Sequence, residues 1–145
     1  MTIKNVICTA LGIIGATISK VFGGWDAALT TLIIFMGIDY VTGIIVAGVF
    51  HKSIKSSSGG LKSTIGWQGI CRKGVTIAIV LIACRLDLLV GTTYIRDAVV
   101  IAFCTNELIS IVENAGLMGI PMPDILVRAI DVLKHRGDND ENYRA

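Results

Sequence analysis

The sequence has little charge for its length, and this shortage bears directly on the class of protein. Charged residues make up 17% of the chain, whereas a typical soluble domain carries about 25%. The mean hydropathy is +0.73, and several helix-length segments lack the polar face that a soluble protein presents to water. The composition therefore indicates an integral membrane protein rather than a soluble domain with a buried core.

Catalytic and cofactor-binding motifs are also missing. The chain has two histidines, His51 and His135, and each stands beside basic residues, so acid–base catalysis has little to work with. There is no Walker A loop, HExxH, GxSxG or plausible Ser/His/Asp set. A net charge of +2 without interleaved aromatic and basic residues does not indicate nucleic-acid binding. We therefore expect no enzyme, no cofactor and no nucleic-acid partner.

The cysteines do not form a recognisable motif. None of the four belongs to a CxxC or Cys/His spacing, and they are Cys8, Cys71, Cys84 and Cys104. We interpret them as small apolar residues in lipid or helix contacts. A disulfide or a metal site is the alternative.

Four apolar segments approach the length that crosses a bilayer, which is about 20 helical residues. They are residues 5–22, 27–50, 74–92 and 95–114. The second is the strongest candidate, because Asp39 is its only charge. The first is either a spanning or membrane-inserted helix or a signal peptide, although only Lys4 supplies a basic start and no A-x-A site follows. The sequence predicts an all-α membrane protein with three to four transmembrane helices and a C-terminal amphipathic helix.

A basic segment, residues 51–73, joins the second and third apolar segments and contains no acidic residue. Its cations are Lys52, Lys55, Lys62, Arg72 and Lys73. Because basic loops beside spans remain in the cytoplasm, we predict that this loop and the C-terminus are cytoplasmic and that Trp25 lies at the outer interface. The same cations are suited to anionic lipid headgroups.

Glycine and proline interrupt the helical pattern after the fourth segment, at Gly119, Pro121 and Pro123. An amphipathic helix is predicted over 124–136, either on the inner membrane surface or against neighbouring subunits. Residues 138–145 resemble a solvated tail. The chain then divides into a transmembrane domain, 1–120, and a cytoplasmic C-terminal part, 121–145.

Three ionisable residues lie near the middle of the predicted spans: Asp39, Arg85 and Glu107. A charge inside a span costs about 2.5–3.5 kcal/mol and needs a partner or water. Arg85 is placed to pair with Asp39 or with Glu107, across helices of one subunit or of neighbouring subunits. Such charges either lock the helices of one subunit together or line a water-filled lumen after assembly, and the sequence leaves both open.

Small residues recur four positions apart within the apolar segments. The pairs are Gly12 with Ala16, Gly43 with Ala47, and Ala98 with Ala102. Such pairs permit close approach between helices in a membrane. They favour assembly of the chain into a homo-oligomer.

Several short motifs become informative when their order is considered. In sequence they are DYVTG (39–43), SSG (57–59), GICRK (69–73), NELISIVEN (106–114) and GIPMP (119–123). This order resembles the toxin-secretion/phage-lysis holin family, and the similarity covers roughly residues 29–134. The positions that match, interpreted as structural or assembly residues, are Asp39, Gly43, Arg72, Lys73, Glu107, Gly119, Pro121 and Pro123.

The resemblance implies a hole-forming protein of the bacterial cytoplasmic membrane. Holins accumulate as small subunits, oligomerise at a programmed time and open lesions through which a peptidoglycan hydrolase reaches the cell wall. Some relatives serve the export of large toxins instead. Two other functions suit the same sequence, namely a small regulated channel or transporter and a non-pore antiholin or scaffold.

Overall fold

The chain folds into helices. A computed structural model describes residues 2–60 and 62–132. Its helices are α1 (Ile3–Val21), α2 (Ala27–Gly48), α3 (Ser63–Val90) and α4 (Tyr94–Leu117), and a further helical segment covers 124–132. No strand occurs within these described ranges. The all-α class predicted from the sequence is confirmed.

α2 shows how the sequence sets a helix start. The side chain of Asp26 accepts a hydrogen bond of 3.0 Å from the backbone N–H of Leu29, which satisfies one of the free donors of the first turn. From there the chain is apolar on nearly every face until Gly48, with Asp39 as its one charged residue. By length and composition, α1 and α2 are the described helices able to cross a membrane.

α2, α3 and α4 form a three-helix bundle in which α4 is the central member. α2 packs along α4, α3 also packs against α4, and the contact between α2 and α3 is the smallest of the three. The start of α2, the end of α3 and the start of α4 meet at one end, which we name the capped end. The loop that follows α2, described over residues 49–60, lies at the opposite, loop end.

The apolar core occupies the half of the bundle near the capped end. Its buried residues are Leu29, Leu32, Met36, Val80, Cys84 and Val100. Many isoleucines, leucines and valines on the outer faces are exposed instead. An exterior this rich in apolar side chains suits contact with lipid or with other subunits.

α1 stands apart from this bundle. None of its residues is buried, and those from Ile3 to Ile18 are all exposed. The chain returns to the bundle at Phe22, which packs against the core, and at Gly23, beside Leu88. The bundle therefore forms without a contribution from α1 to its core.

α3 corrects the prediction for the basic segment. The helix begins at Ser63 rather than at residue 74, so the loop is shorter than the predicted 51–73. Arg72 and Lys73 are helical residues, not loop residues. Hydropathy places the end of a span where cations appear. The α3 helix nevertheless continues through both residues, because the charge of Lys73 is paired inside the bundle and the side chain of Arg72 is exposed.

The predicted break after α4 is confirmed. Gly119 adopts a φ of +82°, in the left-handed region that favours glycine, and its N–H donates to the carbonyl of Gly116 at 3.0 Å. Pro121 and Pro123 lie in the non-helical stretch that follows. Of the predicted helix 124–136, residues 124–132 are helical. Its remainder and the predicted tail lie outside the described residues.

Candidate functional site

One lysine connects all three helices of the bundle near its middle. Lys73 of α3 donates hydrogen bonds to Oδ2 of Asp39 in α2, at 2.8 Å, and to Oε2 of Glu107 in α4, at 2.5 Å. Asp39 is 8% exposed and Glu107 is 7% exposed. We name these three residues the Lys73 triad. Each carboxylate receives the partner that a buried charge requires.

Further hydrogen bonds complete the surroundings of Asp39. The side-chain amide of Asn114 donates to Oδ1 of Asp39 at 3.2 Å and to the hydroxyl oxygen of Thr42 at 3.0 Å. The Thr42 hydroxyl in turn donates to the carbonyl oxygen of Ile38 at 2.9 Å. In the part of the chain that the structure describes, no fully buried side-chain nitrogen or oxygen lacks a partner. The polar interior is therefore satisfied by its own residues.

Arg85 does not belong to this network, so its predicted pairing with Asp39 or Glu107 does not occur within one chain. Pairing between neighbouring subunits stays a prediction. Arg85 is exposed on α3 and forms no ion pair with any described residue. Lys73 and Arg85 lie on α3 about 120° apart around the axis and roughly 18 Å apart along it, so one faces the carboxylates and the other cannot. A lumen-lining role for Asp39, Arg85 or Glu107 after assembly stays a prediction.

A second buried carboxylate, Asp87, closes the capped end. Its Oδ1 accepts hydrogen bonds from the Thr92 hydroxyl at 2.6 Å and from the Ile95 N–H at 3.2 Å. Its Oδ2 accepts from the Arg96 N–H at 2.7 Å. The end of α3 thus supplies the cap for the start of α4, whose own Thr93 makes no side-chain cap. Sequence reasoning missed this role.

Arg96 joins α2 to the same end of the bundle. Its guanidinium contacts Oδ2 of Asp26 at 2.8 Å and Oδ1 of Asp97 at 3.0 Å. Exposed Trp25 and Tyr94 lie beside this ion pair in sequence. The only sequence signal for the contact was the position of Asp26, a capping residue type directly before an apolar helix.

Two adjoining cavities lie beside the Lys73 triad, toward the loop end. Their volumes are about 120 Å³ and about 450 Å³. The residues lining both are Asp39, Lys55, Ile65, Gly69, Lys73 and Ser110. We name the larger one the polar cavity. Three cations of the predicted basic segment line the polar cavity, namely Lys55, Arg72 and Lys73. Lys62 lines only the smaller cavity, and Lys52 lines neither cavity.

The small-residue pairs fall into two groups. Gly43 and Ala47 face the interior, since Ala47 is buried and a Cβ on Gly43 would lie 3.8 Å from Nδ2 of Asn114. This pair serves the contact of α2 with α4 within one chain. The exposed pairs are Gly12 with Ala16 on α1 and Ala98 with Ala102 on α4. Their predicted role in assembly stays a prediction.

The cysteines lie apart in the structure. Cys84 is buried in the core, Cys104 is half-buried, and Cys8 and Cys71 are exposed, all as free thiols. Within the described residues, no three His, Cys, Asp or Glu side chains cluster to hold a metal ion. Cys84 and Cys104 therefore contribute to helix packing, and Cys8 and Cys71 are surface residues.

Comparison with known proteins gives consistent matches over most of the chain. A model of the bacteriophage holin family matches residues 16–135. An uncharacterized protein of Clostridium perfringens strain 13 is 35% identical, covering 92% of this chain and 96% of that protein. An uncharacterized protein of Listeria innocua is 34% identical over 94% of this chain and 95% of its own length. A protein of Bacillus phage phi105 named a probable holin is 27% identical over 78% of this chain and 77% of its own length. No solved structure matches.

Proposed function

This chain belongs to the bacteriophage holin family, and we propose that it self-assembles in the bacterial cytoplasmic membrane and opens holes there. The holes would release a peptidoglycan hydrolase to the cell wall, or export a large toxin. The observation that carries the proposal is the family match, which includes α2, α3, α4 and the whole Lys73 triad. The name of the phi105 relative, probable holin, supports the same function.

We extend the membrane assignment to α3 and α4, giving three spans, or four if α1 also crosses. Their charges lower their hydropathy, but Asp87 and Glu107 are buried and paired and so do not meet lipid. Exposed Trp67 lies roughly 30 Å from Asp87 along α3, which is about the thickness of the hydrocarbon core. Tryptophan at that distance from the capped end suits the opposite membrane interface.

The proposed topology places the loop of residues 49–62 in the cytoplasm and the capped end outside. In a variant lacking the native cysteines, Thr93→Cys should react with a membrane-impermeant maleimide in intact cells. Ser57→Cys should react only after the membrane is permeabilised, because the basic loop stays inside. Ready labelling at position 57 in intact cells would overturn this topology.

Assembly is expected to use the exposed small residues of α1. Gly12→Leu combined with Ala16→Leu should weaken the ladder of multimers seen on crosslinking in membranes by several fold, because bulky side chains keep helices apart. Since neither residue is buried, the bundle should remain folded. Ala10→Leu, on nearly the opposite side of α1, is the matched control and should leave the ladder unchanged. A strictly monomeric wild-type chain at lytic expression levels would contradict assembly.

Lysis in cells tests the proposed function itself. Induced expression with a cytoplasmic peptidoglycan hydrolase should end growth abruptly and release a large cytosolic reporter enzyme. The hydrolase expressed alone should give no lysis, since it cannot cross an intact membrane. Growth that continues with both proteins present, at confirmed membrane levels of this chain, would refute the proposal.

The polar cavity favours a second candidate, a small ion channel. Its volume of about 450 Å³ and its charged lining could hold water and ions within one bundle. A channel of this size would dissipate ion gradients but retain folded proteins. A non-pore antiholin or scaffold would do neither and would delay lysis by a hole-forming partner. Release of the reporter enzyme therefore identifies a hole-former, and dissipation of ion gradients without that release separates a channel from a non-pore protein.

A further inference from the structure

The polar cavity has a distinctive charge balance. Three cations, Lys55, Arg72 and Lys73, line it together with two carboxylates, Asp39 and Glu107. With all five groups ionised, the lining carries one net positive charge. Both carboxylates are already held by Lys73, at 2.8 and 2.5 Å. The excess positive charge therefore belongs to Lys55 and Arg72.

Several hydrogen-bonding groups of the cavity are unused by the rest of the described chain. Lys55 and Arg72 form no ion pair with any residue in 2–60 or 62–132. Within the same ranges, the side chains of Gln68, Asn106 and Ser110 make no hydrogen bond. Two cations and three neutral polar groups thus surround one space without satisfying one another. This combination fits an anion with several acceptor oxygens.

The depth of Arg72 fits the level of lipid headgroups. It lies roughly 22 Å from Asp87 along α3, at 1.5 Å per residue. With the capped end at one boundary of a hydrocarbon core about 30 Å thick, Arg72 lies roughly 8 Å from the other boundary. An arginine side chain extends its charge toward the interface over such a distance. Lys55 belongs to the loop at that same end.

The lining of the polar cavity shows where it opens toward the membrane plane. Apart from Asp39 and Lys55, its lining residues belong to α3 and α4. Gln68 and Arg72 of α3 and Asn106 of α4 are exposed, so the cavity opens on the outer surface between these two helices. A headgroup in the adjoining leaflet reaches it from that side.

We propose that the polar cavity binds a phosphate group carrying one negative charge, held by Arg72 and Lys55. A phosphodiester matches the single excess charge of the lining and supplies the acceptor oxygens. The depth of the site favours an anionic phospholipid such as phosphatidylglycerol over free phosphate. This inference rests on the membrane insertion of the proposed function but not on hole formation. A negative lysis assay would therefore not contradict phosphate binding, and a negative binding experiment would not contradict lysis.

Lipid selectivity of the purified full-length chain tests the site. In micelles with equal phosphatidylglycerol and phosphatidylcholine, native mass spectrometry should show preferential retention of phosphatidylglycerol. Arg72→Gln and Lys55→Gln should each weaken this preference about fivefold, while Arg72→Lys keeps most of it. Lys52→Gln is the matched control, since it removes the same charge from the same loop but lines neither cavity.

A second arm identifies the source of the phosphate. If inorganic phosphate fails to displace the retained lipid, the ligand is the headgroup; if it displaces the lipid one for one, the site takes soluble phosphate. Equal retention of both lipids with no phosphate binding would overturn the site. So would an equal loss of selectivity in Lys52→Gln and Arg72→Gln. The lipid preference of the wild-type chain and the displacement of its lipid by phosphate decide whether the site binds phosphate, even if Arg72→Gln fails to fold.

Discussion

Lys73→Met should reduce the amount of folded protein in the membrane at least tenfold and abolish lysis. The change leaves Asp39 and Glu107 buried beside each other without their shared cation. Removing one partner of a buried ion pair typically costs about 3–5 kcal/mol. Quantitative immunoblotting of isolated membranes, with lysis timing in the same cultures, measures both effects.

Arg85→Met is the matched control for Lys73→Met. It removes the same charge from the same helix, but Arg85 is exposed and has no ion-pair partner among the described residues. It should change accumulation less than twofold. Combining Lys73→Met with Asp39→Asn and Glu107→Gln should restore much of the lost protein, because no charge then remains unpaired. Equal effects of Lys73→Met and Arg85→Met would show that the triad does not hold the bundle together.

Asp87→Leu should lower the free energy of unfolding by about 3 kcal/mol. It removes three hydrogen bonds to one buried carboxylate, two of which cap α4. A hydrogen bond to a charged group contributes about 1.5–3 kcal/mol, and part of the sum is offset because Leu does not carry the desolvation cost of a buried carboxylate. Reversible unfolding of the purified chain in mixed detergent, followed by circular dichroism, gives the difference.

Asp97→Leu provides the comparison at the same end of the bundle. Asp97 is more exposed and contacts only the side chain of Arg96, so its loss should cost less than about 1 kcal/mol. The loss of stability in Asp87→Asn should lie between those of Asp87→Leu and Asp97→Leu, because the amide oxygen of asparagine still accepts a hydrogen bond from a backbone N–H. If Asp97→Leu destabilises as much as Asp87→Leu, the capping role of Asp87 is wrong.

Much of the helical organisation is predictable from apolar run length. The predicted segments 5–22, 27–50 and 95–114 differ by only a few residues from α1, α2 and α4. Two residue types that interrupt the apolar pattern lie at or just beyond helix ends, namely the capping residue Asp26 before α2 and the glycine Gly119 after α4. Gly119 illustrates this, because its positive φ is a conformation that glycine adopts without strain.

The start of α3 could not be found in the same way. Arg72 and Lys73 ended the apolar run, so the helix before them was assigned to a loop. That error moved the assumed membrane boundary and placed Arg85, rather than Lys73, at the depth of Asp39 and Glu107. Only the three-dimensional packing shows which cation faces the carboxylates, since a helix turns by about 100° per residue.

The capped end depends on contacts that are distant in sequence. Asp26 and Arg96 belong to different helices, yet they lie 2.8 Å apart. Asp87 serves as a cap from the preceding helix, across the turn at Gly91. Local capping rules identify a residue type next to a helix start, whereas this cap comes from another helix and is visible only once α3 and α4 are packed.

The two polar clusters have a shared consequence for assembly. The Lys73 triad and the capped end keep the buried charges of the bundle paired within one chain, and the outer faces are rich in apolar side chains. The capped half is filled by the apolar core, including Leu32 and Val80, which are fully buried. A single bundle therefore leaves no wide passage through this half, and the hole that we propose for a folded enzyme would form between subunits.

Release of cargo from liposomes by the purified chain tests this claim most directly. Vesicles loaded with a small dye and a folded enzyme are mixed with increasing amounts of protein, and both cargoes are followed together. A hole formed between subunits predicts that the enzyme and the dye escape together above a threshold protein density. Escape of the dye with full retention of the enzyme, at every density up to saturation of the vesicles, would contradict it.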